Sequence, residues 1–397
     1  MSRELRVALL CSLVVLLDGL DTQVIGYLGP ALAAEWKIPP AVLGPVFSAG
    51  LVGLMGGLLT LGPLADVWGR KRTILVSVAL FGMFTLLTAQ ANGVADLMIY
   101  RVIAGIGLGG AMPNALALTG ENSAPHRRAT VTVAMFCGFS LGSVLGGGMT
   151  ATLIAEHGWR SIFLIGGILP IVLLPLLWWA LPESGQLLRT QEGRVPVARL
   201  FDGEHRIGTP LLWVVFFMNL FEFFFLQSWL PTMLTSQGMA QPRAILVSTL
   251  VSVGGIVAGI LSGPLMDRLG PYRVLGWLYA GGAVFVVIVG IPSSLTAISV
   301  ATFAAGFCVS GAQKSVNALA VLFYPVRVRS TGVGWALGIG RGGGILGPLF
   351  GGWMVAAGWS TPRIFQWAAV PMLIATVVVF MMGVRFGGER ESTQVAR

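Results

Sequence analysis

Twelve apolar segments, each about as long as a membrane helix, run through this sequence with short polar connections between them. A helix needs about 20 apolar residues to cross a hydrocarbon core roughly 30 Å thick. We predict membrane helices near 7–29, 42–65, 73–91, 96–119, 129–155, 160–181, 209–231, 243–265, 273–292, 296–322, 331–357 and 361–383. Only 10% of the residues are charged, whereas a water-soluble domain carries about 25%. The sequence therefore predicts an all-α membrane protein with twelve transmembrane helices in a lipid bilayer.

Lysine and arginine are concentrated on one side of the predicted helices. Of the 25 such residues, 18 lie at the termini or in the loops that share a side with them, and four lie opposite. Because positively charged loops are retained in the cytoplasm, both termini are predicted to be cytoplasmic. The net charge of +9 reflects this loop asymmetry, and we expect no nucleic-acid partner.

A segment of the first half recurs in the second half, 201 residues later. Gly62-Pro-Leu-Ala-Asp-Val-Trp-Gly-Arg-Lys-Arg72 corresponds to Gly263-Pro-Leu-Met-Asp-Arg-Leu-Gly-Pro-Tyr-Arg273. The same offset relates the glycine-rich stretch 142–146 to 343–347. The chain is therefore predicted to contain one six-helix unit twice.

This duplication defines the expected domains. Six helices return the chain to its starting side, so two such units are parallel repeats about an axis along the membrane normal. We assign residues 1–181 to an N-terminal six-helix bundle, 182–208 to a cytoplasmic linker, and 209–397 to a C-terminal six-helix bundle with a short cytoplasmic tail.

Ionisable residues inside the predicted helices are candidate functional residues, because an unpaired charge in the bilayer costs several kcal/mol. There are six of them: Asp18, Asp21, Arg101, Glu222, Lys314 and Arg341. Asp18 and Asp21 are spaced i, i+3 and so lie on one helix face. Ionisation of both carboxylates at so short a separation is unfavourable, and at least one is expected to bind a proton readily. The alternative is a static ion pair with Arg101 or Arg341.

The offset of the repeat gives these acids counterparts. Asn219 corresponds to Asp18, and Glu222 corresponds to Asp21. Since the halves are related by a pseudo-two-fold axis, we expect the first and seventh helices to meet across a central cavity at comparable depth. Glu222 is therefore a second candidate for binding a proton or a cation.

Two cations of the second half have no charged counterpart in the first. Lys314 and Arg341 correspond to Pro113 and Ser140. Such an asymmetric positive site suits an anionic substrate, although Lys314 paired with Glu222 is an alternative. Arginine holds a carboxylate through two parallel hydrogen bonds, which makes Arg341 the better anchor. Other predicted substrate-binding residues are the polar Gln313, Asn317 and Asn219, and the aromatic Phe225 and Trp229, whose alternative role is helix packing.

The segment Gly62–Arg72 resembles the signature of the major facilitator superfamily, G-x-L-a-D-r-x-G-R-K, with Val67 at the usual arginine position. The stretches Asp18–Tyr27 and Tyr324–Arg341 resemble the bacterial aromatic acid:proton symporters. The resemblance covers essentially the whole chain. It implies inward symport of a small aromatic carboxylate, such as a hydroxybenzoate, with protons across a bacterial inner (plasma) membrane.

The resemblance also implies roles for individual residues. Asp18 and Asp21 would be the paired acids needed for transport, Arg101 would assist proton transfer, and Arg341 would assist substrate binding. The predicted cytoplasmic gate consists of Asp66, Arg70, Glu121, Arg128, Asp267 and Arg329. No cofactor or metal is expected, and a monomer is predicted.

Three other functions remain open at this point. One is a proton-driven exporter of aromatic or drug-like compounds, and another is an importer of a different organic anion. The third is a membrane enzyme or sensor. The sequence offers no set of nucleophile, base and orienting residue for catalysis, which argues against an enzyme.

Overall fold

A computed structural model describes residues 3–123, 128–183, 196–203, 205–291, 294–325 and 327–386. The side chains of residues 66, 128–134, 136 and 330 lie outside this description. So do residues 184–195 and 204 of the predicted linker and the tail beyond residue 386. Throughout the described ranges the regular structure is helical, without strands.

Eleven long helices make up the described chain. They are α1 (Arg3–Trp36), α2 (Leu43–Trp68), α3 (Arg70–Thr88), α4 (Val94–Asn122), α5 (Arg128–Ala180), α6 (His205–Ser236), α7 (Gln241–Leu269), α8 (Pro271–Val289), α9 (Leu295–Phe323), α10 (Arg329–Ala356) and α11 (Thr361–Phe386). Two short 3₁₀ helices, Pro40–Val42 and Val197–Phe201, precede α2 and α6.

The helix α5 consists of two membrane helices joined at Gly158. Gly158 has φ 69° and ψ 175°, a conformation that residues with a side chain rarely adopt. The break falls between the predicted spans 129–155 and 160–181, so the described chain contains twelve helical segments. Ten of the eleven helices are long and apolar enough to cross a membrane, and α10, which is rich in glycine and contains Arg341, is the exception. The all-α transmembrane fold class is confirmed.

The C-terminal end of α1 differs most from its predicted boundary. The helix continues past residue 29, through Pro30, to Trp36. Its last turn is held by α5, because the Glu35 carboxylate accepts hydrogen bonds from the Trp159 indole and the Arg160 guanidinium. The ring of Trp36 also packs edge-on against Trp159 at 5.5 Å between centroids. Tertiary contacts that hydropathy does not register therefore extend this helix.

The described chain forms two compact units. Unit 1 comprises Met1–Glu192 with Ser228–Thr249, and unit 2 comprises Gly193–Gln227 with Leu250–Arg397. The end of α6 and the beginning of α7 thus cluster with the helices of the first half. The domain boundaries drawn from the sequence repeat stay a prediction.

The same glycine contacts recur inside each unit. In unit 1, a Cβ on Gly142 of α5 would lie 1.9 Å from the carbonyl oxygen of Leu16 in α1. In unit 2, a Cβ on Gly343 would lie 2.1 Å from the carbonyl oxygen of Phe217. Both residues of the second pair stand 201 positions after those of the first. The repeat read from the sequence is therefore a repeat of helix packing, in which backbones touch because no side chain intervenes.

We predict that Gly142→Ala lowers the thermal midpoint of the detergent-solubilised protein by several degrees, because overpacking costs about 1–3 kcal/mol. The matched control is Gly148→Ala on the same helix, where an added Cβ meets nothing within 4 Å. That control should be neutral or slightly stabilising, since alanine favours helix over glycine by about 1 kcal/mol. Equal midpoints for the two variants would contradict the assigned contact.

Candidate functional site

Both acids of α1 are buried in unit 1. Asp18 is 1% exposed and Asp21 is 2% exposed. They occupy successive turns of a helix whose neighbouring positions are almost entirely apolar, and α1 packs against α4 and α5. Two carboxyl groups are thus positioned by an otherwise hydrophobic surface, where each requires a partner.

Asp21 forms a two-pronged ion pair with Arg101 of α4. Nη1 of Arg101 donates to Oδ1 at 3.1 Å, and Nη2 donates to Oδ2 at 2.9 Å. The hydroxyl of Thr85, on α3, adds a third side-chain donor to Oδ1 at 2.7 Å. Arg101 is itself only 2% exposed, so this is a charged pair fully removed from water. The alternative of an ion pair with Arg101 is thus observed for Asp21.

The face and the Nε atom of the Arg101 guanidinium do not take part in this ion pair. Its carbon atom lies 5.7 Å from the centre of the Phe163 ring, a cation–π contact. Its Nε has no acceptor among the described residues. The absence of a side chain on Gly50 leaves room beside it. A small cavity at this place is lined by Thr22, Ile25, Phe47, Gly50, Leu51, Leu54, Arg101 and Leu108.

Asp18 has a different environment from Asp21. The Thr22 hydroxyl, four residues later on α1, donates to its Oδ1 at 3.1 Å. Arg101 bonds to Asp21 alone of the two acids. The structure therefore gives different hydrogen-bond environments to two residues that the sequence pattern treats as one pair.

The corresponding acid of unit 2, Glu222 on α6, has no such partners. It is 0% exposed, and neither carboxyl oxygen has a hydrogen-bond partner among the described residues. The alternative pairing with Lys314 is not formed, because the Lys314 ammonium donates to the carbonyl of Gly255 on α7. Asn219, one turn before Glu222, donates from Nδ2 to the carbonyl of Val309 on α9 at 3.3 Å.

The remaining predicted substrate-binding residues lie on three helices. Gln313, Lys314 and Asn317 are half-buried on α9, and Arg341 is half-buried on α10. The aromatic pair is fully buried on α6. Phe225 packs edge-on against Phe365 at 6.3 Å, within unit 2. Trp229 packs edge-on against Phe47 at 5.4 Å, within unit 1. Both rings thus make packing contacts in this structure.

Part of the predicted cytoplasmic gate is assembled in unit 1. Arg70 at the start of α3 bonds Glu121 near the end of α4, with 2.6 Å between Nε and Oε1. Glu183, which the sequence analysis did not identify, accepts the backbone N–H of Lys71 at 3.1 Å. An acid at this place stabilises the positive end of the α3 dipole.

The two gate residues of unit 2 have different surroundings. In unit 2, Arg329 donates from Nε to the Tyr324 carbonyl at 3.2 Å, and Asp267 is exposed near the end of α7. The side chains of Asp66 and Arg128 lie outside the described part of the chain.

Thr85 and Phe163 are also contacts that the sequence analysis missed. Both residue types are frequent in membrane helices for packing reasons, so neither stood out in its apolar segment. The repeat contains one signal that could have identified them. The corresponding residues of the second half are Val286 and Ile364, so the hydroxyl and the aromatic ring occur only in the half that contains Arg101.

Comparison with known proteins agrees with this fold. The family model described as "Major Facilitator Superfamily" matches residues 11–241 and 212–396. Two solved structures share the fold at low sequence identity. A bacterial homologue of the human lysosomal transporter Spinster, inward-facing, has a TM-score of 0.78 at 17% identity, covering 97% of this chain and 98% of that one. A D-xylose-proton symporter has a TM-score of 0.75 at 19% identity, covering 94% and 97%.

Curated relatives are considerably more similar in sequence. A gallate transporter of Pseudomonas putida is 40% identical over 95% of this chain and 91% of its own length. The 4-hydroxybenzoate transporter PcaK of Pseudomonas aeruginosa is 38% identical, covering 95% and 92%. A 3-(3-hydroxy-phenyl)propionate transporter of Escherichia coli is 38% identical, covering 94% and 92%.

Such identity over nearly the full length of both chains extends to the helices that carry the acids and cations described above. The alternative of a membrane enzyme is excluded by this relationship. The chain is a multi-pass membrane transporter that belongs to the major facilitator superfamily and, within it, to the aromatic acid:proton symporters.

Proposed function

We propose that this protein imports a small aromatic carboxylate together with protons across the bacterial inner membrane, with both termini in the cytoplasm. The names of three relatives, for gallate, 4-hydroxybenzoate and 3-(3-hydroxy-phenyl)propionate, support this substrate class. All three compounds join an aromatic ring to one carboxylate. The observation that carries the proposal is the buried Asp21–Arg101 ion pair.

This ion pair supplies a mechanism for coupling. Protonation of Asp21 removes the negative charge that compensates Arg101. A buried arginine without a counter-ion is unfavourable by roughly 3–5 kcal/mol. The negative charge of a bound substrate carboxylate offsets part of this cost. Proton binding and substrate binding therefore favour each other, which is positive cooperativity between two ligands.

The space beside the guanidinium supports this coupling. Among the described residues, the Nε of Arg101 has no acceptor, and the cavity next to it is lined by Gly50, Thr22 and mainly apolar side chains. Asp18, one turn away, is proposed as the neighbouring acid through which a proton reaches Asp21 or leaves it.

Residues of the second half are proposed to bind the substrate. Arg341 is the candidate carboxylate anchor, with Lys314, Gln313, Asn317 and Asn219 as further polar contacts and with Phe225 and Trp229 as ring contacts. Alternating access by rocking of the two halves would expose this site to each side in turn. The gate residues Asp66, Arg70, Glu121, Arg128, Asp267 and Arg329 would then separate and rejoin in each cycle.

Replacement of Asp21 by asparagine should abolish uptake driven by a pH gradient. The amide cannot gain or lose a proton, and it leaves Arg101 without its counter-ion. Accumulation of labelled 4-hydroxybenzoate in proteoliposomes, acidic outside, measures this effect. Exchange of internal for external substrate, which needs no net proton movement, should persist at a measurable rate and shows that the variant is folded.

The matched control for this variant is Asp96→Asn, at a partly exposed acid in the first turn of α4. It should accumulate substrate like the wild-type protein. Wild-type accumulation by Asp21→Asn would remove Asp21 from the coupling mechanism. Accumulation by the wild-type protein with neither a pH gradient nor a membrane potential, or only in inverted vesicles, would count against proton-driven import.

Thr85→Val should reduce accumulation of 4-hydroxybenzoate driven by a pH gradient several-fold. The Thr85 hydroxyl donates to the Asp21 carboxylate at 2.7 Å, and loss of a hydrogen bond to a charged group costs about 1.5–3 kcal/mol. Thr88→Val is the control one turn away, where the hydroxyl donates to the Phe84 carbonyl of its own helix. Equal accumulation by both variants would contradict the role of Thr85.

Arg341→Lys should weaken binding of 4-hydroxybenzoate about tenfold, which corresponds to about 1.4 kcal/mol. Lysine keeps the charge but cannot form two parallel hydrogen bonds with a carboxylate. The dissociation constant can be measured by calorimetry on the purified protein. Arg363→Lys, at an arginine stacked over the Trp359 ring, serves as the control and should bind normally. Unchanged affinity in Arg341→Lys would rule out the anchor role.

A further inference from the structure

The second half of the repeat lacks the groups that neutralise the acid of the first half. Asp21 has Arg101 as its cation and Thr85 as its hydroxyl donor. The residues 201 positions later are Glu222, Thr302 and Val286. The carboxyl group is thus retained, whereas the arginine has become a threonine and the threonine has become a valine.

This correspondence is one of packing as well as of sequence. A Cβ on Gly105 of α4 would lie 2.2 Å from the carbonyl of Gly50, and a Cβ on Gly306 of α9 would lie 2.3 Å from the carbonyl of Val251. These two contacts are related by the same offset. The hydrogen bond from Asn219 to the Val309 carbonyl joins α6 to α9 directly. The helix that carries Glu222 therefore contacts the helix that carries Thr302, as α1 contacts α4 in unit 1.

Glu222 and Asn219, one turn earlier on α6, have buried polar atoms that lack partners. Among the described residues, both Glu222 oxygens and Oδ1 of Asn219 are buried without a hydrogen bond. The same holds for the hydroxyl of Thr302, the counterpart of Arg101 in the repeat. Polar groups in a static core are almost always hydrogen-bonded. Unpartnered atoms at these positions indicate groups that acquire their partners in another state of the transport cycle.

Lys314 and Arg341 do not compensate Glu222. Lys314 of α9 is bonded to the Gly255 carbonyl. Arg341 belongs to α10, whose Gly340 and Gly343 lie against α6, and no ion pair joins either cation to Glu222 in the described chain. A buried carboxylate without a counter-ion is strongly unfavourable in a bilayer. The group avoids this cost by carrying a proton.

We propose that Glu222 is a second proton-binding site, which is loaded in the state seen here and unloads once in each cycle. This inference rests on the proposed function, because it adds a second proton to the one carried by Asp21. Two protons would then accompany each substrate anion. The two corresponding acids would then act differently. Asp21 alternates between a proton and its ion pair with Arg101, whereas Glu222 binds a proton and has no counter-ion.

The second proton changes the charge that crosses the membrane. A monocarboxylate moved with one proton is electroneutral, so the membrane potential does not drive its uptake. The same anion moved with two protons carries one positive charge inward. An inside-negative potential of 100 mV then supports up to about 50-fold accumulation, even when the pH is equal on both sides.

The test uses the full chain in proteoliposomes, with labelled 4-hydroxybenzoate as the probe and a potassium diffusion potential set by valinomycin. At equal pH, the wild-type protein should accumulate the probe when the inside is negative. Glu222→Gln should lose this response to potential while still taking up probe when the outside is acidic. Glu156→Gln, at an exposed acid of α5, is the control and should behave like the wild-type protein.

A second measurement needs no variant. A pH-sensitive dye trapped in the vesicles, read together with the labelled probe, gives the number of protons that enter with each anion. Two protons per anion are expected for the wild-type protein. A ratio of one, a wild-type protein that does not respond to potential, or a normal response in Glu222→Gln would each overturn the proposal. Absence of any uptake driven by a pH gradient in the wild-type protein would instead refute the proposed function itself.

Discussion

The ion pair between Asp21 and Arg101 is the interaction on which the rest of this structure depends. Both groups are almost completely buried, and each alone would be very unfavourable in a membrane interior. Their two parallel hydrogen bonds and the Thr85 hydroxyl offset that cost. The helices α1, α3 and α4 must approach closely for this to happen, and Gly107 of α4 permits the approach of α3, since an added Cβ would lie 2.6 Å from the Ser77 carbonyl oxygen. The ion pair of unit 1 therefore depends on the close packing of its helices.

The two halves share packing but not charge. The glycine contacts of unit 1 recur in unit 2 with nearly the same distances, so the duplicated backbone is preserved. The polar residues are not preserved in the same way, because Arg101 is matched by Thr302 while Asp21 is matched by Glu222. Two corresponding carboxyl groups are thus buried in different ways. The charge of Asp21 is compensated by Arg101, whereas Glu222 is proposed to be uncharged because it carries a proton.

Much of the fold could be predicted from the sequence, because a bilayer restricts both the length and the composition of a helix that crosses it. A segment that crosses a bilayer needs an apolar run of fixed length, and the twelve helical segments agree with that pattern. The end of α1 at Trp36 was not predictable in this way, because it depends on contacts of Glu35 and Trp36 with α5. The break that divides α5 was predicted as a loop, and its structural cause is the backbone conformation of Gly158.

The candidate site was predictable to the extent that its residues are conspicuous. Asp21, Arg101 and Glu222 stand out because charges are rare in apolar segments. Thr85 and Phe163 do not stand out, and their positions beside Asp21 and Arg101 emerge only from the three-dimensional packing. The same is true of Glu183, which follows α5 and accepts the Lys71 N–H at the start of α3. The sequence also paired Asp18 with Asp21, whereas Arg101 bonds to only one of them.

The central claim is that protons enter together with the aromatic acid through Asp21. The direct measurement is the pH of a weakly buffered medium around proteoliposomes when 4-hydroxybenzoate is added outside. The wild-type protein should make the medium more alkaline as the probe enters, and Asp21→Asn should not. Uptake of the probe by the wild-type protein without any change of external pH would contradict the account.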